Sequence, residues 1–204
     1  MMNLALERGF IDQNCSYVTV SNIMRNKEIT PILHDLIKIS SLPLASVESK
    51  FSVDSSGFSG SKFARYYSYK HGKEMKYKEW VKAHLIIGIQ TNIVTGVELS
   101  EENEHDSTRF GPLVNKTAEN FTVKELLGDK AYSSRANLDL INSLGGTPYI
   151  PFKSNTSGKS RGSYAWMRMY HYFMLNNEDF MKHYHKRSNS ETVFHMIKSK
   201  FKDN

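Results

Sequence analysis

AHLIIGIQTNIVTGVEL, residues 83–99, is the stretch whose reading decides the fold. Two runs rich in β-branched residues, 83–90 and 93–99, are separated only by Thr91 and Asn92. β-Branched side chains suit a pleated, half-buried surface, and asparagine tolerates the positive φ of a tight turn, so the stretch predicts an antiparallel hairpin. Upstream, Phe51-Ser52-Val53-Asp54 predicts a short strand that ends in a carboxylate, with the chain turning at the Ser and Gly residues that follow. Downstream, an acidic patch from Glu98 to Asp106 leads into a helix near 106–118. FTVKELLG, residues 121–128, predicts a buried strand closed at once by Asp129. The next helix is capped by Ser133 or Ser134, lines one face with Leu138, Ile141 and Leu144, and stops at Gly145-Gly146. ThrProTyrIlePro, 147–151, is a short strand whose prolines place it at the end or edge of a sheet. A polar Gly/Ser loop with Lys and Arg spans 153–165, and a final helix starts near Ser188 and is still running at Asn204. Strands alternating with helices indicate an α/β domain with one mixed central sheet flanked by helices and an insertion before the last helix. Residues 1–45 form a helical or irregular N-terminal segment, where PILHDLIKISSL places Pro31 in a first helical turn. The sheet domain takes up 46–204.

Composition narrows the function classes. With 204 residues, 39% hydrophobic and 24% charged, the chain is globular and long enough for a real core. One cysteine, Cys15, excludes an internal disulfide and a cysteine-based zinc site. No apolar run reaches the ~18 residues of a membrane span, and MMNLALERGF lacks the order of a secretory signal. The net charge of +6 lies in the last quarter of the chain, where residues 151–204 carry 10 basic and 4 acidic side chains. A second basic stretch interleaves Lys62, Arg65, Lys70, Lys73, Lys76, Lys78 and Lys82 with Phe63, Tyr66, Tyr67, Tyr69, Tyr77 and Trp80. Cations neutralise phosphates and aromatic faces stack on bases, so this pattern suggests nucleic acid, although a solvated basic face with core aromatics has the same composition.

Three acids stand out by position. Asp54 closes the first strand, Asp129 closes the strand after the hairpin, and Glu191 lies on the last helix. Ligands of open α/β sheets gather beyond the carboxyl ends of strands, so the two aspartates could be neighbours. Carboxylates ~4 Å apart repel by about 4 kcal/mol at an effective dielectric of ~20, so such a cluster stays ionised only beside cations. Oxygen-only donors favour Mg²⁺ or Mn²⁺, and two such ions suit phosphoryl transfer. Each acid also has a plainer reading. A strand-terminal Asp often caps a turn, and Ser188-Asn189-Ser190-Glu191 matches a capping box.

The last helix carries the strongest local pattern, YHKRSNSETVFHMIK, residues 184–198. At ~100° per residue, Tyr184, Arg187, Glu191 and Lys198 fall within an arc of about 60°. Val193, Phe194, Ile197 and Phe201 form an adjacent apolar stripe at about 180–280°. The helix can bury one side and present Glu191 with cations from the neighbouring arc.

With these residues in hand, the chain resembles the DDE transposases of bacterial insertion sequences, and within them the subgroup marked by Tyr-x2-Arg-x3-Glu-x6-Lys. Tyr184, Arg187, Glu191 and Lys198 match that spacing at every position. FSVDSSGFS around Asp54, WVKAHLIIGIQTNIVTGVEL across the hairpin, GDKAYSSRAN around Asp129 and GGTPYIPFKSN before the insertion also look like family blocks. The resemblance implies a ribonuclease-H-like fold in which Asp54, Asp129 and Glu191 bind two Mg²⁺ or Mn²⁺ ions. It implies cleavage of a DNA phosphodiester at the element's end by water, then attack of the freed 3′-hydroxyl on target DNA. Arg187 and Lys198 would clamp phosphates, Tyr184 would contact the terminal nucleotides, and Lys130 and Tyr132 would add phosphate contacts beside Asp129. His105-Asp106 also looks like a family block, and we read it as helix initiation. The family further implies a homodimer acting on paired ends, in the cytoplasm with the nucleoid and away from membranes. The chain stops 13 residues after Glu191, where relatives continue, which implies a core incomplete at its C-terminal end. The alternatives are an inactive DNA-binding remnant and a stand-alone metal-dependent nuclease of the same fold.

Overall fold

The computed structural model describes residues 2–59, 70, 72, 80–101 and 105–201. The chain divides into two compact units, Met1–Ile39 and Ser40–Asn204. The first unit holds α1 (Met2–Glu7), α2 (Tyr17–Arg25) and most of α3 (Ile29–Ser41). Ser16 caps α2 by accepting the Thr19 amide at 3.1 Å. Pro31 sits in the first turn of α3, where its missing N–H has no intrahelical partner to lose.

The second unit is built on one five-stranded sheet in the order β3-β2-β1-β4-β5. Its strands are β1 (Lys50–Ser59), β2 (Trp80–Gly88), β3 (Val94–Glu101), β4 (Glu125–Gly128) and β5 (Thr147–Tyr149). β1, β2 and β3 run antiparallel, whereas β1, β4 and β5 run parallel. The helices are α4 (Asp106–Ala118), α5 (Arg135–Ser143), α6 (Tyr164–Leu175), α7 (Asn177–Tyr184) and α8 (Ser188–Phe201). Side chains alternate across a strand, so the sheet has two apolar faces. Phe51, Val53, Ile86 and Leu126 join Phe110, Leu113 and Val114 of α4 and Leu138 and Ile141 of α5 in the main core. Leu85 and Ile87 meet Val193 and Phe194 of α8 in a second cluster. This is the mixed sheet flanked by helices that the strand and helix order predicts. No helix among the described residues is long and apolar enough to cross a membrane.

The hairpin forms as expected, with Asn92 at φ 57° and the Gly88 amide donating to the Ile93 carbonyl at 2.8 Å. Glu48, only 1% exposed, braces it. One of its carboxylate oxygens accepts the Ser49 and Lys50 amides at 3.1 and 3.0 Å. The other accepts the Gln90 amide, the Thr91 amide and the Thr91 hydroxyl at 2.9–3.1 Å. A Cβ on Gly88 would stand 2.6 Å from that second oxygen, which is why the strand ends in glycine here.

Four expectations change. β1 does not turn after Asp54 but continues to Ser59, because β2 pairs with it all the way to Trp80. Its parallel partner β4 is the strand that stops, at Val53–Gly128. The strand predicted over 121–128 is confined to Glu125–Gly128. Phe121 instead packs edge-on against Phe51 at 5.6 Å while its amide bonds back to Thr117. Residues 164–184, for which the sequence pattern predicts no element, form α6 and α7, with Ser163 capping α6 through the Trp166 amide at 3.0 Å. Ser188 does not act as an N-cap, because a 3-10 turn at His185–Arg187 runs straight into α8 and Ser188 is itself helical at φ −53°, ψ −22°. The basic, aromatic stretch from Lys62 to Tyr77 lies, apart from Lys70 and Gly72, outside the described residues.

Candidate active site

The sheet register brings the two aspartates together. Val53 pairs with Gly128 across the parallel β1–β4 ladder, so Asp54 within β1 and Asp129 just past the end of β4 are the next residues along. By alternation both leave the sheet on the face covered by α8. Asp129 stands at the N-cap of a 3-10 turn, Lys130–Tyr132, but its side chain makes no capping bond. Only its backbone carbonyl closes the turn, accepting the Tyr132 amide at 2.9 Å.

Asp54 is half-buried and fully engaged. Its Oδ1 accepts the Ser55 amide at 3.0 Å. Its Oδ2 accepts Arg187 at 2.8 Å and the Ser190 hydroxyl at 2.9 Å. The same guanidinium lies 3.5 Å from a Glu191 carboxylate oxygen, one turn further along the helix. Arg187 therefore bridges two acids that are 137 positions apart in the chain. Burial works against the charge on Arg187, but Asp54 first, then Tyr184 and Asp129, outweigh it and raise its pKa. Among the described residues no three Asp, Glu, His or Cys side chains stand close enough together to share an ion. The donor set itself suits a hard divalent cation. The acids offer oxygen only, and a positive group already rests between Asp54 and Glu191.

The remaining residues of the predicted site distribute unevenly. Tyr184 keeps its ring 5.8 Å from the Arg187 guanidinium carbon. Lys198 places its ammonium 5.4 Å from the Phe58 ring of β1, two turns along α8 from Glu191. Lys130 is exposed beside Asp129. Tyr132 is 1% exposed and packs against Phe110 at 5.5 Å. The ring that the sequence reading assigns to phosphate contact is thus buried in the main core. Burial, together with Asp106, Asp54 and Asp129 nearby, pushes its phenol well above the ordinary range.

Two participants escaped the sequence reading. Ser190 is fully buried, and its hydroxyl also lies 2.7 Å from the Arg187 carbonyl. A signal existed, because Ser190 falls at about 240° in the helical projection, a polar residue inside the apolar stripe. Asp106 heads α4 as expected, but its carboxylate pairs with Lys82 and accepts the Ser55 hydroxyl at 3.3 Å. It thereby braces the strand directly behind Asp54, a role that only the folded register reveals.

The family model described as Transposase DDE domain matches residues 45–203. The chain is 29% identical over 188 residues to a probable transposase for insertion sequence element ISA1214 from Archaeoglobus fulgidus. That alignment takes in 91% of the chain and 55% of the relative, so the chain spans about half the length of that protein. Among solved structures, the catalytic core domain of BIV integrase aligns over 61% of this chain and 64% of its own, at 13% identity and a TM-score of 0.31. A match that runs from just before Glu48 to the end of α8, taking in all three acids, settles the family: the chain belongs to the DDE-domain transposases.

Proposed function

We propose that the chain is the catalytic domain of an insertion-sequence transposase that cleaves DNA strands at the element's ends and joins them to a target. The observation that supports this best is the Asp54–Arg187–Glu191 bridge, in which two of the three acids already share one cation. Asp54, Asp129 and Glu191 would hold two Mg²⁺ or Mn²⁺ ions. When bound, such ions supply charge stabilisation for the attacking and leaving oxygens of an in-line displacement. The protein's own groups do the rest. Arg187 has a planar fork suited to a phosphate's two free oxygens once the Asp54 carboxylate turns to another cation. Lys198 and Lys130 add point charges on either side, and the Tyr184 ring beside Arg187 can lie against a terminal nucleotide. Ser190 holds the first turn of α8 against β1, so Glu191 stays within reach of Asp54. Two ends must be cut and joined together, which fits a pair of copies acting on DNA.

The test is incubation of the chain with end-bearing duplex DNA and Mn²⁺. Wild type nicks the DNA, and Asp54→Asn and Glu191→Gln each reduce nicking by at least about 10³-fold while DNA binding survives. Nicking without any joined product points instead to the nuclease reading. Salt-dependent binding without nicking in any metal points to the DNA-binding remnant.

A further inference from the structure

The parallel strands β1, β4 and β5 all point toward one end of the sheet, and β4 and β5 stop there while β1 runs on, so the chain leaving β5 emerges at the end where Asp54 and Asp129 stand. That segment, residues 153–162, has two unusual properties. The first is charge. No Asp or Glu occurs between Asp139 and Glu178, whereas Lys153, Lys159, Arg161 and Arg168 do. Lys153, Lys159 and Arg161 are all exposed, and among the described residues no ion pair involves them.

The second property is how firmly the loop is tied. Its carbonyls are taken up from below. Arg135, the first residue of α5, donates to the Lys159 and Ser160 carbonyls at 2.8 and 3.0 Å, with its guanidinium 4.5 Å from the Trp166 ring. Trp166 Nε1 donates to the Ser157 carbonyl at 3.1 Å, and the Tyr170 hydroxyl to the Thr156 carbonyl at 3.2 Å. The backbone lies so close to α6 that a Cβ on Gly158 would meet the Tyr170 ring at 2.6 Å. Arg161 is held at φ 45°, a conformation that ordinary residues avoid. A surface loop with no task has no need of such bracing, which removes the ordering cost that mobile cations pay on binding.

We propose that residues 153–162 form a pre-set cationic clamp for the DNA backbone, with Lys153, Lys159 and Arg161 contacting phosphates beside the Asp54–Asp129 end of the sheet. The choice of DNA as the polyanion rests on the strand-cutting reading above. The clamp sets where the duplex enters, not the chemistry.

Counterion release gives the test. For the full chain and a generic duplex, the dissociation constant is measured over a salt series, for wild type and for the triple variant Lys153→Gln, Lys159→Gln, Arg161→Gln. The slope of log K against log salt should fall by about 0.9 for each phosphate that is no longer neutralised, that is by about two to three units. Lys124→Gln, an exposed cation before β4 at the opposite end of the sheet, should leave the slope unchanged. Arg161→Gly, which relieves the backbone while removing one charge, should lower the slope by about one unit without lowering the melting temperature. A triple variant with the wild-type slope, or a Lys124→Gln shift as large per charge, overturns the clamp. Clamp-dependent binding without Mn²⁺-dependent nicking keeps the clamp and discards the strand-cutting reading. No salt-dependent binding by wild type overturns both.

Discussion

Arg187 touches Asp54 and Glu191 with one guanidinium, so the metal binding proposed for these acids would be tied to the rest of the site. A divalent ion held there would offer positive charge to the same oxygens as Arg187, so the two would compete for Asp54. Removing the arginine leaves two facing acids with less neutralisation, which costs folding stability until a metal supplies the missing charge. Arg187→Ala should therefore melt lower than wild type without divalent ions, and Mn²⁺ should raise its melting temperature by several degrees more than it raises that of wild type. Equal Mn²⁺ shifts for the two proteins would mean that the metal does not take the place Arg187 holds. The residue scale also shows how far the sequence carries. The Arg187–Glu191 contact is legible as an i,i+4 pair on a helix. The Arg187–Asp54 bond is not, because it spans 133 positions and depends on where α8 lies across β1. Asp129 was legible as the acid that follows β4, whereas Asp54, read as the end of its strand, lies inside β1, and their adjacency follows from the parallel pairing of β1 and β4.

Elements bring different residues into play. The hairpin was legible because two β-branched runs flank a residue tolerant of positive φ. What braces it was not, since Glu48 lies 42 positions before the Gln90 amide it accepts. Glu48→Ala strands several buried amides, so it should lower unfolding free energy by about 3 kcal/mol or more, read as a shift in urea midpoint at unchanged slope. Gly88→Ala should cost a comparable amount by driving a methyl into that carboxylate. The helices α6 and α7 were hidden for another reason. Trp166, Met169 and Phe180 pack inward, but Tyr170, Tyr172 and Phe173 are also partly buried against the core. With apolar residues on more than one side, the helical period is blurred. α7 is pinned to β4 through His183, whose ring stacks 4.3 Å from Tyr149 and bonds Glu125 at 2.9 Å. Burial tends to raise the Glu125 carboxyl, but Lys50 and His183 outweigh it and hold its pKa below the usual value of 4.5. A depressed folded pKa stabilises the protein above the unfolded value, and that stability is lost as pH falls through the folded one. The melting temperature of wild type should thus fall as pH drops below about 4.5, and Glu125→Gln should remove that part of the decline. Parallel melting curves against pH for the two proteins would rule out this strut.

At the scale of the whole molecule, burial separates the two units more sharply than composition does. All the buried apolar residues of the described chain belong to Ser40–Asn204. In the first unit Tyr17, Val18, Ile32, Leu36 and Ile39 are more than half exposed, and no residue of α2 is buried. The apolar periodicity of α2 and α3 was readable in the sequence, but amphipathic helices need a surface to bury against. A segment of about 40 residues seldom makes one without disulfides, metals or a partner. The family match starts at residue 45, after α3 has ended. It follows that a chain beginning at Ser40 should fold on its own, with one cooperative urea transition and a midpoint close to that of the full chain. The excised segment 1–39 should show little helical circular dichroism in isolation. The proposed Mn²⁺-dependent nicking should be retained by the shortened chain, because Asp54, Asp129, Glu191 and the 3-10 turn carrying Arg187 all lie within the second unit. A Ser40–Asn204 chain that is unfolded at room temperature would show that the first unit supplies part of the core. The division of labour between a self-sufficient sheet unit and a helical segment without its own interior would then have to be abandoned.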